Sequence, residues 1–198
     1  MNTRIDLKIL EPWVKEGTHV LDLGCGDGSL LKHLHSTRKV TGYGLENDPE
    51  QIQACIENGI NVIEKSLDKE LSDFGDNSFD TVLMTFALQV MKHPDIILEE
   101  MLRVGRECIV TFPNFGNFNA RLSLMFGGRM PVTKRLPYQW YDTPNIHFCT
   151  VSDFEALCRD KGYQILNREM ISLSPINSAL KNIWPNLFAE TAVYHLTK

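Results

Sequence analysis

The sequence predicts a doubly wound α/β domain, Rossmann-like and built on a mostly parallel sheet, and three observations carry that prediction. Short apolar runs of strand length alternate with longer amphipathic stretches over the first half of the chain. The first such run, residues 19–23, passes directly into glycines at alternate positions, Gly24, Gly26 and Gly28. A second apolar run ends in Glu46, about twenty residues beyond that turn, which is the spacing of a glycine-rich turn and a strand-end acid around a nucleotide ribose.

The elements follow in order. Ile5, Leu7, Ile9, Leu10, Trp13 and Val14 predict a short N-terminal helix, broken near Pro12, that covers either the sheet or a pocket mouth. Strands are expected at 19–23, 40–45, 62–64, 79–85 and 107–112, and helices at 29–35, 49–58 and 95–103. Gly28 lets the second helix start close to the first strand. Asp48 with Pro49 marks the start of the third helix. Asp95 is expected to cap the fourth and Gly105 to end it. Further on, Ser152 or Asp153 caps a helix that runs through Lys161 to Gly162, a strand occupies 163–171, and a last strand occupies 191–196. One domain, 1–198, accounts for the chain, with neither repeats nor low-complexity tracts.

The acids around the glycine turn select among nucleotides. A pyrophosphate would be held by helix N-terminal amides, but Asp22 and Asp27 stand where that anion would lie and would repel it. A cationic sulfonium, an amino group and a ribose diol suit these carboxylates, and S-adenosylmethionine has all three. The spacing GxGxG also differs from the GxGxxG of dinucleotide sites. Glu46 is placed to accept hydrogen bonds from both ribose hydroxyls. After the strand at 62–64, Leu67 offers apolar contact to an adenine and Asp68 an acceptor for its amino group, or else residues 68–70 form a solvated turn. The cofactor-binding set is therefore Asp22, Gly24, Gly26, Gly28, Glu46, Leu67 and Asp68, with S-adenosylmethionine or S-adenosylhomocysteine as ligand.

Composition narrows the partners. With 198 residues, 43% apolar and net charge −5, the chain fits a soluble globule and makes neither nucleic acid nor an anionic membrane an obvious partner. No apolar run approaches the ~20 residues of a membrane span, so a cytoplasmic location is expected. The five cysteines form no CxxC pair and read as reduced thiols, Cys25 as a small residue at a crowded position. The six histidines form no ligand cluster, and no metal is assigned.

Residues 112–141 stand apart. Arg121, Arg129, Lys134 and Arg135 give this stretch a charge of +4 with no acid, which leaves −9 on the remainder. It also holds Phe115, Phe118, Met125, Phe126, Met130, Tyr138 and Trp140, while Gly127, Gly128 and prolines interrupt regular structure. A long insertion of this kind meets a partner, covers a ligand, or packs over the sheet edge. The end of the fourth strand, Thr85 to Gln89, offers no His, Asp or Glu as general base. Asn114 is superficially similar to the proline-aromatic motif of nucleic-acid amino-methyltransferases but follows the wrong strand. His93, Tyr138, Tyr141 and His147 are loop residues with either a catalytic or a structural reading. No catalytic residue is assigned.

These motifs together resemble the class I S-adenosylmethionine-dependent methyltransferase fold, which implies a final strand inserted antiparallel beside the fifth. Residues 20–28, 74–82, 99–116, 128–132 and 136–149 resemble, more narrowly, the MetW family of methionine-biosynthesis proteins; the similarity extends to about Gly162 and fades over 172–190. That resemblance implies action beside a homoserine O-acyltransferase of the MetX type, through about residues 112–149. The chain has no G-x-S-x-G elbow and cannot itself supply such an enzyme's nucleophilic serine. Two functions stay open: an accessory or regulatory protein that binds S-adenosylmethionine, or a methyltransferase acting on a small metabolite or a protein.

Overall fold

A computed structural model describes residues 5–67, 71–133 and 135–198. In chain order the elements are α1 (Ile5–Leu10), β1 (His19–Leu23), α2 (Ser29–Arg38), β2 (Thr41–Glu46), α3 (Pro49–Glu57), β3 (Val62–Glu64), β4 (Phe79–Thr85), α4 (Pro94–Val104), β5 (Gly105–Pro113), α5 (Phe118–Gly127), α6 (Val151–Lys161), β6 (Gln164–Ile171), α7 (Pro175–Leu180), α8 (Pro185–Phe188) and β7 (Thr191–Thr197). The strands form one sheet in the order β3-β2-β1-β4-β5-β7-β6. Neighbours are parallel from β3 to β5, and β7 runs antiparallel to both β5 and β6, as the resemblance implied. The order reverses between β1 and β4, and the crevice at the carboxyl ends of these two strands is where such sheets bind ligands.

Alternation along the central strands feeds two cores. Leu21, Val82, Met84, Val110, Phe112 and Tyr194 face the layer of α4 and α6, packing with Leu98, Met101 and Phe154. Val20, Leu83, Ile109 and Val193 face the opposite layer with Leu30 and Leu34 of α2. Both faces are covered, which explains why the strands read as continuous apolar runs. Leu10 and Val14 are buried in the second core, and Trp13 stacks on His195 at 5.8 Å, so the N-terminal segment covers the sheet face. Pro12 lies in a 3-10 turn, Glu11–Trp13, that follows α1.

Several helix ends differ from expectation for local reasons. α2 continues to Arg38, four residues beyond its last buried leucine, and ends on Lys39 in the left-handed region. α4 is preceded by His93 at the N-cap with Pro94 in the first turn; Asp95 lies inside that turn and is not the cap. Gly105 ends α4 as expected and at once begins β5. α6 starts from Thr150, not from Ser152 or Asp153. The Thr150 hydroxyl accepts from the Asp153 amide, and Asp153 reaches back to the Thr150 amide in a capping box. α5, α7 and α8 were not legible as helices. α5 buries only Ala120 and so carries no apolar stripe toward the core.

Arg103 on α4 organises the approach to β4. Its guanidinium donates to the backbone carbonyls of Leu71 and Phe74 and to the carboxylates of Glu100 and Asp76. Asn77, at φ 52°, donates its amide to the Arg103 carbonyl, which explains the conformation of the turn before Phe79. Hydrogen bonding to Arg103 holds the Glu100 carboxyl below its usual range.

Gly28, the N-cap of α2, adopts φ 73°. A Cβ there would lie 2.6 Å from Cys55 Sγ on α3 and 3.3 Å from Ile60 Cβ. The close approach that glycine permits is therefore to α3 and the segment after it, not to β1.

Two stability predictions follow from these contacts. Gly28→Ala should destabilise by at least the about 1–2 kcal/mol of a left-handed L-residue, plus crowding against Cys55. Urea denaturation of Gly28→Ala, Cys55→Ala and the double variant should show a favourable coupling; strict additivity would mean that Cys55 yields without cost. Arg103→Met should lose about 1–3 kcal/mol through its stranded carbonyl and carboxylate partners. Because the folded Glu100 carboxyl is depressed, its stabilisation is present above the ordinary value of 4.5 and is lost as pH falls through the lower folded value. The acid limb of stability against pH should flatten in Arg103→Met, and an unchanged limb would remove Glu100 from this role.

Candidate ligand-binding site

The glycine turn is fastened to the end of β2. The amides of Gly24 and Cys25 both donate to the Leu45 carbonyl, at 2.9 and 3.1 Å. The Gly26 amide donates to Glu46 Oε2 at 3.0 Å, while Glu46 Oε1 accepts from the amides of Asn47 and Asp48 at 2.8 and 3.0 Å. Asp48 in turn caps α3 by accepting from the Glu50 amide. Glu46 is thus part of the turn's own scaffold, its two oxygens held by three backbone amides. A carboxylate offers about four acceptor sites, so one remains for a hydroxyl before any amide is displaced.

Gly24, at φ 71°, is where three segments meet. A Cβ there would meet Ala87 Cβ at 3.3 Å and Leu67 Cδ1 at 3.4 Å. The turn after β1, the segment after β3 and the segment after β4 therefore converge at one place, bringing Leu67 to the glycines. Asp22 is buried, 1% exposed, beneath the turn on β1. Burial first, and then the Asp22 carboxylate, pushes the Cys25 thiol far above its ordinary range. Cys25 Sγ lies 4.0 Å from Cys55 Sγ, and both thiols are reduced and buried, which suits packing better than reactivity. Asp27 accepts from the Ser29 amide at the start of α2, and its own carbonyl accepts from Asn58. Asp68 lies outside the described residues.

The wall opposite the glycines was not legible in the sequence. Phe86 follows β4 with φ 55°, an uncommon conformation for a bulky residue. It is held there by its amide, which donates to both the backbone carbonyl and Oγ1 of Thr111 at 3.0 Å. The carbonyl of Gln89 accepts from the amides of Ile146 and His147, tying the insertion to this wall. Arg135 Cζ lies 5.8 Å from the centroid of the Phe86 ring.

Among the residues with more than one reading, Asn114 is engaged structurally. Asn114 is buried; it donates to the carbonyls of Asn186 and Ala189 and accepts from the amides of Gly116 and Val151. Tyr138, Tyr141, His93 and His147 are exposed, and His147 Nε2 contacts the Lys92 carbonyl. The insertion is not a packed cover: Met125, Phe126, Trp140 and Tyr141 are 67%, 79%, 74% and 71% exposed. Arg129 is exposed beside them. Among the described residues no helix is long and apolar enough to cross a membrane.

Similar proteins agree with this architecture. An S-adenosylmethionine-dependent methyltransferase from Archaeoglobus fulgidus superposes with TM-score 0.72 at 16% identity, covering 98% of this chain and 91% of that one. Another from Mesorhizobium loti gives 0.70 at 16%, covering 98% and 96%. At that identity the likeness is one of fold. The bifunctional methionine biosynthesis protein MetXA/MetW of Rhodopirellula baltica is 33% identical over 189 residues, which is 91% of this chain but only 30% of that longer protein. Residues 4–196 match the family model described as methionine biosynthesis protein MetW, and the chain belongs to the MetW family.

Proposed function

We propose that this MetW-family protein binds S-adenosylmethionine or S-adenosylhomocysteine in the glycine-turn crevice and acts in the cytoplasm as an accessory or regulatory partner of a homoserine O-acyltransferase of the MetX type. In this reading Gly24, Gly26 and Gly28 let the ligand lie against the main chain, and Glu46 uses its remaining acceptor capacity on the ribose. Asp22 contributes negative potential from beneath the turn toward the ammonium and sulfonium, and Leu67 with Asp68 borders the adenine. The convergence of Leu67 and Ala87 on Gly24 supports this reading, because it sets the segments after β3 and β4 beside the glycine turn.

The observation that carries the partnership is the Rhodopirellula relative, whose name joins MetXA and MetW in one polypeptide. Fusion keeps two modules at high effective concentration. The exposed aromatic surface of α5 and the following loop supports the same reading, because large contiguous apolar exposure marks interaction sites. Trp140 and Tyr141, in edge-to-face contact at 5.6 Å, have the character of interface anchors. Arg129 is an exposed cation on this face; Arg135 points inward, toward Phe86. A ligand that favours one docked state over another would couple the crevice to the partner.

Acyltransferase activity measured with and without this chain tests the proposal; no change in rate together with no co-purification would overturn it. Radiolabelled S-adenosylmethionine turned over with an acceptor would instead favour methyl transfer. Glu46→Gln, which presents a donor to backbone amides and to the ribose, should weaken S-adenosylhomocysteine binding at least tenfold, about 1.4 kcal/mol, in calorimetry; equal affinity would remove Glu46 from the site. Trp140→Ala should cost about 2 kcal/mol or more of acyltransferase affinity with the melting temperature of the isolated chain unchanged, and undiminished affinity would move the interface elsewhere.

A further inference from the structure

A second cleft opens at the carboxyl end of β5, on the far side of Phe86 from the glycine turn. It is lined by Pro113, Asn119, Thr133, Arg135, Leu136 and Glu190 and is open to solvent. Arg135 Cζ sits over the Phe86 ring, 5.8 Å from its centroid. Its Nε is buried and has no acceptor, and none of its side-chain nitrogens bonds to a described residue. A cation–π contact consumes none of the guanidinium's N–H donors, which keep the fork geometry that matches a carboxylate. The surrounding stretch, 112–141, contains no acid to occupy that fork.

The other lining groups are set for a small zwitterion. Glu190 Oε1 accepts from Ser172 Oγ and the Leu173 amide, while Oε2 has no partner among the described residues. Thr133 Oγ1 accepts from the amides of Arg135 and Leu136, so its hydroxyl proton is left to donate. The neighbouring amides of Asn114 and Asn117 are consumed by the carbonyls of Asn186 and Ala189. The cleft therefore combines an unsatisfied cation, an available carboxylate oxygen and a hydroxyl donor, beside a short apolar wall.

We infer that this cleft binds a small free α-amino acid, with its carboxylate on Arg135 and its ammonium directed to Glu190. The site is separate from the glycine-turn crevice and shares with it only the segment after β4: Phe86 backs Arg135, and Ala87 abuts Gly24. The inference depends neither on nucleoside binding nor on docking to an acyltransferase.

Calorimetric titration of the full chain with glycine, L-serine and L-threonine tests it, with L-serinamide as the probe lacking a carboxylate. At least one of the free amino acids should bind saturably at millimolar concentration or below, and L-serinamide should bind at least tenfold more weakly than L-serine. Arg135→Met, which keeps the contact with Phe86 but removes the donors, should abolish the heat or weaken binding at least tenfold, and Glu190→Gln should also weaken it. Cooperative thermal melting of both variants shows that they are folded, and Arg135→Lys, which retains the charge without the fork, should bind with intermediate affinity. Absence of saturable binding by all three amino acids to the unaltered chain would overturn the proposal. So would equal binding of L-serinamide, or affinity unchanged in folded Arg135→Met.

Discussion

The fastening of the glycine turn to β2 is the constraint on which the site depends. Two consecutive amides, those of Gly24 and Cys25, share the Leu45 carbonyl, and the next glycine donates to the Glu46 carboxylate. These bonds exist only because β1 and β2 are parallel neighbours in a register that ends both strands together, Leu23 opposite Leu45. A one-residue slip would turn Asp22 and Leu23 to the wrong faces as well as breaking the turn. The parallel pairing in turn requires a crossover helix, α2, whose start at Gly28 is permitted by the absence of a side chain against Cys55.

Glu46 is first of all a structural acid. Its oxygens hold the turn and the two amides that lead into α3, so its position is fixed by bonds within the chain. Phe86 plays the corresponding part across the crevice. Its left-handed backbone is held by two acceptors on Thr111, and it carries Ala87 against Gly24 on one side and Arg135 on the other. Strain of this kind persists where the surroundings over-determine it, and that occurs characteristically at ligand sites.

The insertion obeys a different rule from the rest of the chain. The apolar residues of the central strands enter one of the two cores, but Met125, Phe126, Trp140 and Tyr141 lie on the surface. The segment is nonetheless anchored, through Gln89 to the Ile146 and His147 amides and through Phe115 to the Cys149 carbonyl and the Phe148 ring. An ordered scaffold that presents exposed aromatics is suited to binding a partner, since little side-chain freedom remains to be lost.

The sequence by itself determined the alternation of strands and helices, the glycine turn, Glu46 at the end of its strand, and the family. These features are written locally, in period-two burial, in residues that alone tolerate a given φ, and in caps such as Asp48. Tertiary structure alone decided which atoms the glycines approach, how Glu46 distributes its acceptors, and that Arg135 and Glu190 border one cleft. Arg135 and Glu190 are far apart in the chain and each reads locally as an ordinary surface charge. Only the antiparallel insertion of β7 beside β5 brings the segment before β7 to the end of β5, and distance in space, which sets burial and electrostatics, is not recorded in local pattern. The same reason hid α5: a helix whose apolar residues face solvent has no core to impose its period on the sequence.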